Sequence, residues 1–249
     1  SDMVMKHGPN VALQHCGFKG EGLMDERAWI KKSHYPFRFH FMKGFESEVA
    51  VICTRNPLDI SPSLFYLTFS WTHGKSFREK LYEDPVWIYW RNFQKRCTEA
   101  WNMWHKYWIE MAEKTDKPVY FFRFEDVMSN PRKELQNLMK FILGMDSIEG
   151  TVIEQRIEDV LAMGKSANQA YKPRSGGSNK NLMNYTEEQL KYQYDTNEDL
   201  LHFFGYVEDG NPDNNTPYFD YKGKASIENV KKINYYKKLN ERAYEMRRQ

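Results

Sequence analysis

The chain has 249 residues, with 36 Lys and Arg against 34 Asp and Glu, 41% hydrophobic residues and 16% aromatic ones. That length and aromatic content support one sizeable domain with a buried core, and they exclude collagen-like, low-complexity and wholly disordered chains. A net charge of +2 argues against a dedicated nucleic-acid binder, which needs a strong basic excess, and the apolar runs are too short to span a bilayer. Cys16, Cys53 and Cys97 are too scattered for a disulfide framework or a Cys-x-x-Cys metal site. They fit a reducing compartment. The opening Ser-Asp-Met-Val-Met lacks the cationic start and apolar stretch of a signal peptide, and reads as the interior of a longer chain.

Residues 1–28 are polar and glycine-bearing, which predicts loop with one short helix at most. Ala28 to Ile30 reads as a short strand. Val49 to Thr54 is a continuous apolar and β-branched run, the composition of a parallel strand buried on both faces. It stops at Arg55-Asn56-Pro57, and a helix follows to about Phe69. Trp87, Trp90, Phe93, Cys97, Trp101, Trp104, Trp108 and Met111 recur every three or four residues, predicting a long core-facing helix that ends near Lys114. Val119 to Phe124 reads as a second strand. Asn130-Pro131 caps a helix that runs to Leu143, with Gly144 at its C-cap. Residues 164–183 have no period and form a long loop rich in Gly, Ser, Asn and Lys. A helix from Thr186 to Phe204 closes at Gly205. The last 26 residues, from Lys224, hold 8 basic and 3 acidic residues. Their apolar stripe of Ile227, Val230, Ile233 and Leu239 predicts a solvated helix packed loosely on the domain. Alternating strands and helices with apolar strands predict an α/β fold, a parallel sheet flanked by helices. The domain spans 1–210, and 211–249 is a basic, partly helical extension.

Metal and protease chemistry find no support, because the histidines lack paired ligand spacing and no Gly-x-Ser-x-Gly is present. Gly74-Lys75-Ser76 and Gly164-Lys165-Ser166 mimic the end of a Walker A loop. The required earlier glycine is replaced by Phe69 and Asp159, so neither is one. Arg55 leaves the C-terminal edge of a strand, where open α/β sheets bind ligands, and Ser63 lies in the early turns of the next helix. A guanidinium, a hydroxyl and a helix N-terminus suit a phosphate. The alternative pairs Arg55 with a carboxylate such as Asp59. Lys32 and His34 stand two apart on an extended segment and so point the same way, and an imidazole there can take a proton from an alcohol at neutral pH. The alternative is a surface turn.

In chain order these segments resemble the sulfotransferase family. Arg55-Asn56-Pro57-x-Asp59-x-x-x-Ser63 resembles that family's 3′-phosphate motif, and Lys32-Ser33-His34-x-Pro36 resembles its Lys-Thr-His-x-Pro segment, with Ser33 in place of threonine. Phe122 to Val127 is similar to its strand-ending Arg-Tyr-Glu-Asp-Leu. Arg174-Ser175-Gly176 falls where its Arg-Lys-Gly loop is expected, ahead of Tyr185-Thr186-Glu187-Glu188-Gln189 and Phe204-Gly205-Tyr206. The resemblance covers roughly residues 29–206 and leans toward membrane-associated and WSC-domain-linked carbohydrate types.

It implies a P-loop NTPase-like fold and transfer of a sulfuryl group from 3′-phosphoadenosine 5′-phosphosulfate (PAPS) to a hydroxyl or amine, with carbohydrate among the acceptors and no metal. His34 is then the base and Lys32 neutralises charge near the leaving group. Arg55, Ser63, Arg174, Ser175 and Gly176 hold the donor's 3′-phosphate, while Glu125 and Asp126 are structural. Two departures stand out. Pro62 precedes Ser63, which the reading excuses as lying among first-turn N–H groups without helical partners. The family's glycine-bearing 5′-phosphosulfate loop is expected upstream of Ser1, so residues 1–249 alone are expected to transfer sulfate poorly. A catalytically inactive module serving as a binding or structural subunit stays open, as does a cytoplasmic or Golgi-lumenal location. A nucleotide kinase is disfavoured without a Walker A loop.

Overall fold

The structure, a computed structural model, describes residues 29–34, 47–70, 87–163, 181–206 and 232–248, with His15, Leu23 and Pro36 besides. Residues Glu48–Asn168 and Lys172–Gln249 form one compact unit, and Ser1–Ser47 with Gln169–Tyr171 form another.

The sheet of the larger unit pairs β1 (Ala50–Thr54) with β2 (Val119–Arg123) in parallel, in register from Ala50 opposite Val119 to Thr54 opposite Arg123. Ala50, Ile52, Val119 and Phe121 enter the main core, where they meet Phe65, Trp90, Trp101, Leu201 and Phe204. Tyr120 and Phe122 face a smaller cluster around Phe141 and Ile142. The sequence predicts a first strand buried on both faces. Instead Val51 and Cys53 are exposed among the described residues, because the helices of the second cluster lie over β2 rather than β1. The short strand expected at Ala28 to Ile30 is also absent where it is described. Trp29 and Ile30 form bends and stand exposed, and Ala28 lies outside the described residues.

Helix α1 (Pro57–Ser70) begins on an asparagine cap. The Asn56 side-chain oxygen accepts the Leu58 N–H at 2.9 Å, and its carbonyl accepts from Asp59 and Ile60. Pro57 then occupies the first helical position, where its missing N–H is harmless. Pro62 is deeper than the sequence reading allowed. An ordinary residue at 62 would donate to the Leu58 carbonyl four residues back, and proline leaves that oxygen without a helical donor. The Tyr185 hydroxyl supplies the missing bond at 3.0 Å.

Helix α2 (Trp87–Lys114) forms as its tryptophan period predicts, and Trp90 and Trp101 are buried. Its inner face also carries polar residues. Gln94 and Thr98 are buried and meet Gln193 of α6 (Glu187–Phe203), with the Thr98 hydroxyl 2.5 Å from the Gln193 oxygen. Asn102 continues that seam by donating to the Thr196 carbonyl at 2.7 Å. After β2 come α3 (Phe124–Ser129) and α4 (Pro131–Leu143). The Asn130 side chain accepts the Lys133 N–H to cap α4, and Gly144, at φ +66°, ends it in the left-handed conformation. Helix α5 (Val152–Met163) escaped the sequence reading, although Thr151 and Glu154 carry the signal of a capped start. There the Thr151 hydroxyl accepts the Glu154 N–H, and the Glu154 carboxylate accepts that of Gly150. Thr186 and Gln189 form a reciprocal cap at the start of α6.

The C-terminal helix α7 (Tyr236–Arg248) departs most from expectation. Tyr236, Leu239 and Ala243 are buried rather than loosely packed. The Asn240 carboxamide both donates to the Phe121 carbonyl and accepts the Phe121 N–H, at 2.8 and 2.7 Å, so it substitutes for a neighbouring strand on the edge of β2. Arg242 donates to the last-turn carbonyls Ala112 and Glu113 of α2, and Arg247 to Ile142 of α4. These guanidiniums satisfy helix C-terminal oxygens and oppose their partial negative charge. Ile233 and Leu239 of the expected stripe are described, whereas Ile227 and Val230 lie outside the described residues. Among the described residues no helix is long and apolar enough to cross a membrane.

Candidate functional site

The turn from β1 into α1 carries the first group of candidate residues. The β1 ladder ends at Thr54 and α1 begins at Pro57, so Arg55 and Asn56 lie at the sheet's C-terminal edge. The Arg55 guanidinium lies over the Phe124 ring, 4.5 Å from its centroid. Its Nε is buried and has no hydrogen-bond partner among the described residues. The pairing with Asp59 that the sequence left open is electrostatic only. Burial raises the Asp59 carboxyl above its ordinary value, while the Arg55 charge and an Asn181 hydrogen bond pull it back. That bond, from the Asn181 side-chain nitrogen to Asp59, is 3.1 Å long. Ser63 sits half-buried on α1, two turns beyond the cap.

The turn itself is held from several sides. The Asn56 N–H donates to Glu125 Oε1 at 2.8 Å, and the Tyr206 hydroxyl donates to Glu125 Oε2 at 2.9 Å. Burial raises the Glu125 carboxyl, and the Asn56 N–H is the first of the bonds that oppose this. The Trp101 indole donates to the Arg55 carbonyl at 3.2 Å. His105 Nδ1 must donate to the Trp101 carbonyl, 2.7 Å away, which leaves Nε2 to accept from the Thr54 hydroxyl at 2.8 Å. Complete burial lowers the His105 pKa to about 3, so this imidazole is neutral and structural.

In the smaller unit, Lys32 and His34 are exposed while Lys31 and Ser33, the residues just before each, are half-buried. That alternation matches the expected extended segment with both side chains on one side. Partial burial, then the Lys32 charge, holds the His34 pKa below its usual 6.5. The imidazole is therefore neutral at pH 7 and able to accept a proton. Arg174, Ser175 and Gly176 lie outside the described residues. Asn181, five residues after Gly176, is the described residue bonded to Asp59.

A family model described as "Sulfotransferase domain" matches residues 23–183. The chain belongs to the sulfotransferase domain family. Comparison with curated proteins gives no match, and neither does comparison with solved structures. The matched span contains Lys32, His34, Arg55, Ser63 and Arg174 to Gly176. Family membership makes this chain a sulfotransferase-type enzyme with an α/β fold, a small parallel sheet flanked by helices. Among the described residues of this sulfotransferase no cluster of His, Cys, Asp or Glu could hold a metal ion.

Of three supports of this turn and helix, sequence reasoning missed two, Trp101 and Tyr185. Trp101 was read as core alone, and nothing in a helical period announces that an indole N–H meets a strand-end carbonyl. Glu125 is structural as expected, and its bond to the Asn56 N–H ties β2's end to the turn from β1 into α1. Tyr185 could have been anticipated: a proline within a helix predicts an orphaned carbonyl, hence a donor from elsewhere.

Proposed function

We propose that this sulfotransferase takes its sulfuryl group from PAPS and delivers it to an acceptor hydroxyl or amine, carbohydrate hydroxyls included. The observation that carries the reading is the Arg55 guanidinium, backed by an aromatic ring and with a buried Nε lacking a hydrogen-bond partner among the described residues. A buried donor without an acceptor is unfavourable, and an anionic oxygen is the acceptor such a group suits best. Those residues fit the donor's 3′-phosphate, with Ser63 adding a hydroxyl and Arg174, Ser175 and Gly176 a second set of donors. When bound, PAPS supplies an activated sulfuryl group whose leaving oxygen carries increasing negative charge. The protein's part is to position the reactants and stabilise that charge. Lys32 contributes a cation near the leaving oxygen, and His34 removes the acceptor proton at its neutral ring nitrogen.

Calorimetry with 3′-phosphoadenosine 5′-phosphate and adenosine 5′-phosphate tests the nucleotide assignment. The wild type prefers the former, and Arg55→Ala loses about ten- to a hundred-fold of that affinity, as expected for a charge-assisted bond. Equal affinities for both nucleotides in the wild type would refute it. For the base, His34→Ala lowers turnover by about 10²–10⁴-fold with nucleotide affinity retained. The acidic limb of the pH–rate profile lies below 6.5, in line with the lowered His34 pKa. Lys32→Gln shifts that limb upward by removing a like charge; an unmoved limb separates the two residues.

A further inference from the structure

We propose that Trp101 is a positioning residue for Arg55, acting through the backbone of the strand-to-helix turn. The inference rests on the reading of Arg55 as the group that holds the nucleotide's 3′-phosphate.

The argument begins with carbonyl accounting. The β1 ladder ends at Thr54, and the first carbonyl used by α1 is that of Asn56, which accepts from Ile60 at 3.1 Å. The Arg55 carbonyl therefore belongs to neither element. Its donor among the described residues is the Trp101 indole, at 3.2 Å. Buried peptide oxygens are almost always paired, so this bond decides which way the peptide following Arg55 faces.

Trp101 is itself held firmly. It is 6% exposed, lies 4.1 Å from the His105 ring and meets Phe204 edge-on at 6.1 Å. Its carbonyl also fixes the His105 tautomer, and His105 in turn accepts from the Thr54 hydroxyl. One residue of α2 thus governs two successive positions, Thr54 through His105 and Arg55 directly. On the far side Glu125 takes the Asn56 N–H. Rotation about this turn would carry the guanidinium off the Phe124 ring, and it would break each of these bonds. A phosphate-binding arginine gains from such fixing because a long side chain otherwise loses rotamer freedom on binding.

Trp101→Phe keeps an aromatic ring and removes the N–H. The test is calorimetry of the wild type, Trp101→Phe, Arg55→Ala and the double variant against 3′-phosphoadenosine 5′-phosphate and adenosine 5′-phosphate. Trp101→Phe weakens the 3′-phosphorylated nucleotide about five- to twenty-fold, leaves the other within about two-fold, and adds nothing in the Arg55→Ala background. Equal weakening for both nucleotides, or the same weakening without Arg55, means Trp101 is merely structural and overturns the proposal. Arg55→Ala with unchanged affinity for the 3′-phosphorylated nucleotide removes the underlying reading, and the proposal with it. Should Trp101→Phe not fold, the assigned Trp101 indole N–H resonance of the wild type decides. It shifts with the 3′-phosphorylated nucleotide and not with adenosine 5′-phosphate; an indifferent signal overturns the proposal.

Discussion

Two arginines stand at the C-terminal ends of two hydrogen-bonded strands, and they differ in how many protein groups engage them. Arg123 ends β2, directly opposite Thr54 in register, and is 3% exposed. Its guanidinium donates to the Phe204 carbonyl, lies 3.3 Å from the Asp126 carboxylate, and rests between the rings of Tyr206 and Tyr236 at 4.9 and 5.8 Å. Tyr236 in turn donates to Asp126. Among the described residues Arg55, one residue beyond β1, has the Phe124 ring beneath its guanidinium and no ion pair or hydrogen bond from it. Identical chemistry at neighbouring strand ends therefore serves two ends. Protein oxygens and rings engage one guanidinium from several sides, whereas among the described residues the other is met by one ring.

The sharpest way to break that comparison is to remove each arginine in turn and measure thermal unfolding. Arg123→Ala strips the partner from a buried carbonyl and from Asp126, so it destabilises the fold by about 3–5 kcal/mol. Arg55→Ala changes stability by less than about 1 kcal/mol while abolishing preference for the 3′-phosphorylated nucleotide. Similar losses of stability from both would erase the distinction.

Next comes pH, through the strand partner of Arg123. Thr54 is held by His105, whose folded pKa near 3 lies below its unfolded value of 6.5. The unfolded chain thus binds more protons between those values. This contribution is fully present above pH 6.5 and declines as pH falls toward 3, at up to about 1.4 kcal/mol per pH unit. Chemical denaturation at pH 7 and pH 5 shows the loss in the wild type, and His105→Gln flattens it. An unchanged slope in that variant would place the acid sensitivity elsewhere.

The smallest expected effect tests the helix that follows Arg55. Tyr185→Phe leaves the Leu58 carbonyl without its donor and destabilises by about 1–3 kcal/mol. In a Pro62→Ala background the helix provides its own N–H to that carbonyl, so Tyr185→Phe then does less damage. Additive losses would show that the tyrosine does not compensate for the proline.

Much of this was legible in the sequence wherever one physical signal dominated locally. The tryptophan period defined α2, the V-A-V-I-C-T run gave β1, and Asn130, Pro131 and Gly144 marked both ends of α4. Family membership was legible because the spacing of Arg55, Ser63, Lys32 and His34 resembles a family motif. What stayed hidden depends on partners far along the chain. The α2–α6 seam uses Gln94, Thr98 and Gln193, and such residues read as solvent-facing until a second helix is laid against the first. Val51 and Cys53 read as buried because a strand's composition does not reveal which helices cover it. Asn240 was hidden most deeply, since a lysine- and arginine-rich stretch gives no hint that one carboxamide closes a sheet edge.

That closure has a consequence for synthesis. Phe121 and Asn240 are 119 residues apart in sequence. At ribosomal rates of about 5–20 residues per second, β2 emerges roughly 6–24 s before the side chain that completes it. Throughout that interval the Phe121 amide and carbonyl are open to any other extended chain nearby. Slowing translation ahead of α7 would lengthen that exposure to misassembly.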